Sequence, residues 1–197
     1  MIRKSPKIVL LAGPNGAGKT TVAPELLQGA LQVREFVNAD VIAQGLSAFS
    51  PEEVSISAGR VMLERIHTLA ANKVDFAFET TLASKSFVKM IVDLKQDSDY
   101  RAFLIFICLD SPALAVKRVK SRVIMGGHYV SDEVIRRRYN SGLTNFLQLY
   151  MPIMDQWYFY DNSRKDQLRI IAAGSGSQVQ EVKVPAVWNS FRERYSG

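Results

Sequence analysis

The sequence has one cysteine, Cys108, so it can form neither an internal disulfide nor a multi-thiolate metal site. That excludes a disulfide-stapled secreted scaffold, nearly excludes a structural zinc centre, and favours a reducing compartment. No apolar run approaches the roughly 20 residues that span a bilayer. No repeat period appears, and the only low-complexity tract is the short Gly174-Ser175-Gly176-Ser177 turn. The charged stretch Met1 to Lys7 leads into an apolar run, Ile8 to Ala12, that is too short for a signal peptide and ends in a glycine loop. The expectation is a cytoplasmic chain with no membrane contact. With 197 residues there is room for one domain and a sizeable core, and not for two large domains. A content of 47% hydrophobic and 22% charged residues is that of an ordinary folded protein.

The net charge of +6 is unevenly spread. Seven basic residues (Lys117, Arg118, Lys120, Arg122, Arg136, Arg137, Arg138) stand against Asp132 and Glu133 between positions 117 and 138, a local +5, while the remaining 18 basic and 17 acidic residues nearly cancel. One such cluster suits a phosphate-binding lid better than a nucleic-acid track, and a solvated helix face is the plain alternative.

Short β-rich runs alternate with longer helical patterns, the signature of βαβ units around a mostly parallel sheet. Five strands are expected at Lys7–Ala12, Phe36–Ala39, Asp75–Glu79, Ala102–Leu109 and Trp157–Tyr160, with Leu168–Ala173 and Val179–Val184 as an antiparallel hairpin at the sheet edge. Ser50-Pro51-Glu52-Glu53 reads as a capping box opening a helix over about 51–72, with Val54, Ala58, Val61, Met62, Ile66 and Leu69 on one face. Ser84 opens another helix, with Phe87, Val88, Ile91 and Leu94 on one face. Ser111-Pro112 opens a helix ended by Gly126-Gly127, and a further helix runs from Ser131 towards Tyr150. Residues 112–150 are thus expected as a hinged helical hairpin carrying the arginines. Tyr139, Phe146, Tyr150, Trp157 and Phe159 are expected in the core, His128 as a loop residue, and Asp110 as an extra cap for the helix at Ser111.

Gly13-Pro14-Asn15-Gly16-Ala17-Gly18-Lys19-Thr20 matches G-x-x-x-x-G-K-[ST] between an apolar strand and the helical run Thr21 to Gln28. Glycines let successive N–H groups face inward, and the helix N-terminus adds its positive end, making an anion cradle. Residues 13–21 are therefore expected to bind a nucleotide. Lys19 would reach the β and γ phosphates, and Thr20 would offer its hydroxyl to Mg²⁺. Asn72-Lys73-Val74-Asp75 formally matches a guanine-reading N-K-x-D motif, but it enters a strand instead of leaving one, so it falls at the wrong sheet edge.

Asp40 follows the second strand at the C-terminal sheet edge, where a carboxylate can take a proton from an attacking hydroxyl, help hold Mg²⁺, or cap the next helix. Glu79, followed by Thr80, ends the third strand in the place of an acid that contacts Mg²⁺ through water, clamps a substrate hydroxyl, or caps the strand end. Arg122 and the Arg136–Arg138 run flank the glycine loop, so closing the hairpin would bring guanidinium groups to a transferring phosphoryl. Successive helical residues lie about 100° apart, so at least one of the three arginines must face solvent.

Taken together, the phosphate loop, Asn38-Ala39-Asp40, Phe78-Glu79-Thr80-Thr81-Leu82, Arg118-Val119 to Arg122-Val123, Gly126-Gly127-His128-Tyr129-Val130, Ile135-Arg136-Arg137-Arg138-Tyr139 and Tyr160-Asp161-Asn162-Ser163 resemble the zeta-toxin-like P-loop kinases, in order along most of the chain. One departure is Ser131, where the lid often has proline. The resemblance implies an ATP-dependent kinase, with the sugar hydroxyl of UDP-N-acetylglucosamine as acceptor in the best-known branch. By position it makes Lys19 and Thr20 binders of ATP and Mg²⁺, Asp40 the base, and Glu79 with Thr80 contacts to the acceptor. Arg122 and Arg136 or Arg138 would stabilise the transferring phosphoryl. It leaves room for an antitoxin partner without specifying one. The alternatives are a metabolite, nucleoside or RNA-end kinase of another branch, and a non-catalytic ATP-binding regulatory module.

Overall fold

A computed structural model describes residues 5–50, 53–164 and 167–195. Its sheet has seven strands in the order β2-β3-β1-β4-β5-β6-β7. The first five, β1 (Lys7–Ala12), β2 (Glu35–Val37), β3 (Phe76–Thr80), β4 (Arg101–Cys108) and β5 (Gln156–Asp161), run parallel. The edge pair β6 (Arg169–Ser175) and β7 (Gln178–Val182) is antiparallel, so the expected parallel sheet with a terminal hairpin is present. β1 sits between β3 and β4 with Ile8, Val9, Leu10, Leu11 and Ala12 all fully buried. A strand covered on both faces reads as a continuous apolar run, and this one carries the phosphate loop at its end.

Helix α1 (Lys19–Ala23) follows that loop and widens into a π-helical turn over Pro24–Ala30. α2 (Ala39–Leu46) is capped by Asn38, whose side-chain oxygen accepts from the amides of Asp40 and Val41. Asp40 is therefore not the cap: it lies inside the first turn, where a carboxylate meets the positive end of the helix. α3 spans Ser55–Ala71 and starts later than the expected position 51. Residues 53–54 form a turn, with the Glu53 amide donating to the Ser50 carbonyl, while Pro51 and Glu52 of the proposed capping box lie outside the described residues. Its buried stripe is Ala58, Met62, Ile66 and Leu69; Val61 is exposed, so the apolar face is narrower than expected.

α4 (Ser86–Ser98) buries Ile91. α5 (Pro112–Ile124) is capped by the Ser111 hydroxyl, and Asp110 supports that cap by accepting from Ser111 Oγ at 3.0 Å. α6 (Asp132–Asn145) is capped by Ser131, which explains how serine serves in place of proline there, and it continues as a π-helical turn over Phe146–Tyr150. The 112–150 hairpin is present, but both helices are anchored. Ala115, Val116 and Val119 of α5 and Ile135, Tyr139 and Leu143 of α6 are buried, leaving the tip around Ile124, Met125 and Tyr129 exposed.

The sequence reading has no counterpart for α7 (Pro185–Tyr195), whose Trp188 and Phe191 close the core over β5. Trp157 and Trp188 stack with centroids 5.5 Å apart, and Phe146 and Phe159 complete the aromatic cluster. No helix among the described residues is long and apolar enough to cross a membrane.

Candidate active site

The phosphate loop leaves β1 with Gly13 at φ +141°, where a β-carbon would overlap the Ile107 carbonyl of β4. Glycine is therefore required both by conformation and by the closeness of the neighbouring strand. The Gly13 amide is tied to the Thr80 carbonyl at the end of β3. The amides of Asn15, Gly16, Gly18, Lys19 and Thr20 have no backbone acceptor among the described residues. Those five residues, with Thr21, Asp40, Glu79, Arg118 and Arg122, line one cavity of about 270 Å³. Unpaired amides at a helix N-terminus make an anion site without further help. Ala17 is buried, and its carbonyl accepts from Asn162 Nδ2 at 2.8 Å, which fastens the loop to the end of β5.

Lys19 is buried, its ammonium 2.9 Å from the Gly13 carbonyl, 3.1 Å from that of Pro14 and 3.4 Å from Glu79 Oε1. Burial lowers its pKa, opposed by the charge and hydrogen bonding of Glu79. Glu79 Oε2 accepts from Thr20 Oγ1 and from Asn38 Nδ2, both at 2.8 Å. Asn38 thus uses both ends of its amide, one on Glu79 and one on the start of α2, and so fixes Asp40 relative to Glu79. Thr20 and Glu79 are oxygen donors that suit Mg²⁺, a hard cation that keeps few protein ligands and takes the rest from phosphate and water. Among the described residues no group of three or more His, Cys, Asp or Glu side chains is placed to hold a metal ion.

Arg122 comes from the last turn of α5, and Gly127 lies against it: a β-carbon on Gly127 would come within 2.5 Å of Arg122 Cγ. Arg122 Nη2 donates to the His128 carbonyl at 3.0 Å, so the Gly-Gly-His loop holds the arginine from its own hinge. Two buried side-chain polar atoms among the described residues lack a hydrogen-bond partner, Arg122 Nε and Asn15 Oδ1, and both residues line this cavity. Buried polar groups are nearly always paired, so two orphans at one place mark it as a ligand site.

The expected constellation is assembled in part. Asn15, Gly16, Gly18, Lys19, Thr20, Thr21, Asp40, Glu79 and Arg122 line the cavity. Gly13 and Pro14 face Lys19 with their carbonyls. Thr80 does not line it: its hydroxyl accepts from the Leu82 amide at 3.1 Å. Arg136 and Arg138 are also absent from the lining: burial of Ile135 and Tyr139 fixes the rotation of α6, which leaves Arg136 and Arg137 exposed and Arg138 half-buried. Three residues were given no role from sequence. Asn38 and Asn162 act through contacts distant in the chain, and Arg118 donates to the Ser163 carbonyl at 3.1 Å while lining the cavity. All three stand in the family-like stretches, and Arg118 is also one of the seven residues of the basic cluster. Asn72 to Asp75 lies at the opposite sheet edge, where Asp75 accepts from the Lys7 amide at 2.7 Å, as the strand direction required.

A parallel sheet in this order, with the phosphate loop at the end of its central strand and an arginine-bearing helical hairpin above it, defines the P-loop kinase fold. The family model for the zeta toxin matches residues 2–168, and the chain belongs to that family. An uncharacterized protein of Haemophilus influenzae is 28% identical over 133 residues, covering 68% of this chain and 92% of its own length. Among solved structures, a chain of the AvrRxo1-ORF1:-ORF2 complex with ATP superposes with a TM-score of 0.75 at 14% identity, covering 96% of this chain and 64% of that one. The present chain thus spans less than two thirds of that neighbour. A chain from the PezAT chromosomal toxin–antitoxin system of Streptococcus pneumoniae matches with a TM-score of 0.63 at 19% identity, over 98% of this chain and 80% of that one. Family and fold together support an ATP-dependent phosphotransferase.

Proposed function

We propose that the protein transfers the γ-phosphate of ATP to a hydroxyl of a small or nucleotide-linked acceptor, with a UDP-sugar such as UDP-N-acetylglucosamine as the first candidate. The observation that carries this reading is the lining of a single cavity by a phosphate loop, a carboxylate that is not consumed as a helix cap, and two arginines. A regulatory nucleotide module needs the loop alone; a kinase needs all three.

In this reading the loop amides and Lys19 hold the β and γ phosphates. Thr20 and Glu79 hold Mg²⁺, which when bound offsets phosphate charge. The acceptor oxygen attacks the γ-phosphorus, the bond from that phosphorus to the β–γ bridging oxygen breaks, and the hydroxyl proton passes to the Asp40 carboxylate. Arg122 supplies positive charge to the phosphoryl oxygens as charge spreads over them. The orphaned Arg122 Nε supports this role, since a phosphoryl oxygen would give it its acceptor. Arg136 and Arg138 have no part in the proposal, because buried Ile135 and Tyr139 anchor α6 with neither arginine in the cavity lining. An antitoxin partner fits the family and is not needed for the chemistry.

The test is ADP release and acceptor phosphorylation by purified protein with Mg²⁺ and a panel of UDP-sugars, nucleosides and RNA ends. Stimulation by one UDP-sugar that gains a phosphate is the expected result. Asp40→Asn is expected to lower turnover by about a hundredfold or more while keeping ATP affinity. Lys19→Ala is expected to lose both. Tight ATP binding with no stimulated turnover by any acceptor, and no effect of Asp40→Asn, would replace the kinase by the regulatory module.

A further inference from the structure

A second, larger cavity lies between α6, α7 and the C-terminal ends of β4 and β5. Its volume of about 480 Å³ falls in the range of small-molecule sites, and none of its lining residues belongs to the phosphate cavity. Leu109, Leu143, Phe159 and Phe191 give it buried apolar walls. Tyr139 adds its ring only, because its hydroxyl is spent on the Leu109 carbonyl. The interior therefore offers an apolar body little to hydrogen-bond and much to pack against.

The charged groups are of unequal sign. Three arginines (Arg164, Arg169, Arg194) and two aspartates (Asp110, Asp161) line the cavity. Asp161 and Arg169 satisfy each other at 2.8 Å, and the Asp110 carboxylate accepts from Ser111. Arg164 and Arg194 stand exposed and enter no ion pair among the described residues. The remaining balance is positive and sits with the exposed residues, while the apolar surface is buried.

The turn that separates the two cavities is stitched on both sides. The Asp110 amide donates to Ser163 Oγ at 2.8 Å, which closes the gap between the ends of β4 and β5. The neighbouring Asn162 reaches the other way, to Ala17 of the phosphate loop. A ligand here would rest against the support of the phosphate loop, next to the Arg118–Ser163 contact, and would share no lining residue with the phosphate cavity.

We propose that this cavity is a second binding site, for a small organic anion with an aromatic or aliphatic body, its acid group held by Arg164 and Arg194. The probe is 8-anilinonaphthalene-1-sulfonate, followed by calorimetry on the full chain, with neutral N-phenyl-1-naphthylamine as its uncharged counterpart. One saturable site is expected, at least fivefold tighter for the anion than for the neutral compound. The Arg164→Ala, Arg194→Ala double variant is expected to weaken the anion about tenfold. Both side chains are exposed, so the variant should fold, and an unchanged Tm verifies that. Ser190→Leu, which projects into the cavity, is expected to block both compounds. Saturating ATP with Mg²⁺ should leave probe binding unchanged, and Lys19→Ala should retain it. Absence of saturable binding, equal affinity for the two compounds, insensitivity to the double variant or to Ser190→Leu, or competitive displacement by ATP would each overturn the proposal. None of these readouts depends on the kinase reading.

Discussion

Towards one edge of the sheet, inside the β6–β7 pair, β5 is covered by α7 through Trp157, Trp188, Phe159 and Phe191, all 8% exposed or less. At the other edge, β2 is three residues long and is followed by α2 and α3 with Val41, Leu46, Phe49 and Ile56 in solvent. The first edge holds the turn that fastens the phosphate loop, through Asn162 and Ala17. The second carries Asp40. The nucleotide side is therefore rigid by packing, whereas the side that would meet an acceptor depends on one buried amide, Asn38, for its placement. A kinase divided in this way can change its acceptor without disturbing its phosphate grip.

The largest effect is expected where the packing is densest. Trp188 is 2% exposed and meets Trp157, Phe159 and Phe191 at centroid distances of 5.5 Å. Trp188→Ala should lower the unfolding free energy by about 3–5 kcal/mol, measured by urea denaturation. A cost below about 1 kcal/mol would erase the contrast between the edges. Next comes Arg122, in the last turn of α5 beside the hairpin tip. Arg122→Ala should reduce kcat about a hundredfold with the KM for ATP changed less than about threefold. Steady-state kinetics checks this, and equal losses in both would make Arg122 a ground-state binding residue.

What contiguous residues set was legible in the sequence on either side, for a physical reason. The phosphate loop, the end of β1 and the Ser111 and Ser131 caps are set by contiguous residues, so local spacing reveals them. Glu79 was legible as a strand-end acid, and its three partners, Lys19, Thr20 and Asn38, came only with the sheet register that sets β3 beside β1. Asn38 and Asn162 act across long separations, and no local pattern encodes that. α7 was missed because its buried face rests on Trp188 and Phe191 among polar residues, although Pro185 at its first turn was available as a start signal. The arginines of α6 were drawn towards the site by their sequence cluster, whereas helix rotation is decided by the apolar pair Ile135 and Tyr139. Charge clusters do not choose a helix face; burial does.

A smaller effect is expected at Asp161, the anchor of the turn on the rigid edge. Burial alone would raise its pKa, but hydrogen bonds from the Ser163 hydroxyl and amide and the Arg169 guanidinium outweigh that and lower it. A carboxylate whose folded-state pKa is depressed contributes stability above its unfolded value of about 4, and that contribution fades as pH falls through the folded value. Asp161→Asn should therefore cost about 1–2 kcal/mol at pH 7, and the two proteins should converge in Tm as the pH falls below the unfolded carboxylate value of about 4. Parallel Tm curves across that range would show that the charge does not hold the turn.

The smallest effect sharpens the comparison from the opposite side. Phe49 is 99% exposed, so its ring makes almost no contact whose loss could destabilise the chain. Phe49→Ser should change the unfolding free energy by less than about 0.5 kcal/mol, read in the same urea experiment as Trp188→Ala. Phe49 follows the far end of α2 from Asp40 and lines neither cavity. The same variant should therefore leave kcat and the KM for ATP unchanged. A lowered Tm would mean that the edge is more tightly packed than its exposure indicates. A lowered kcat would place Phe49 closer to the chemistry than its position beyond α2 indicates, whereas unchanged kinetics leaves Asp40 as the contribution of that edge.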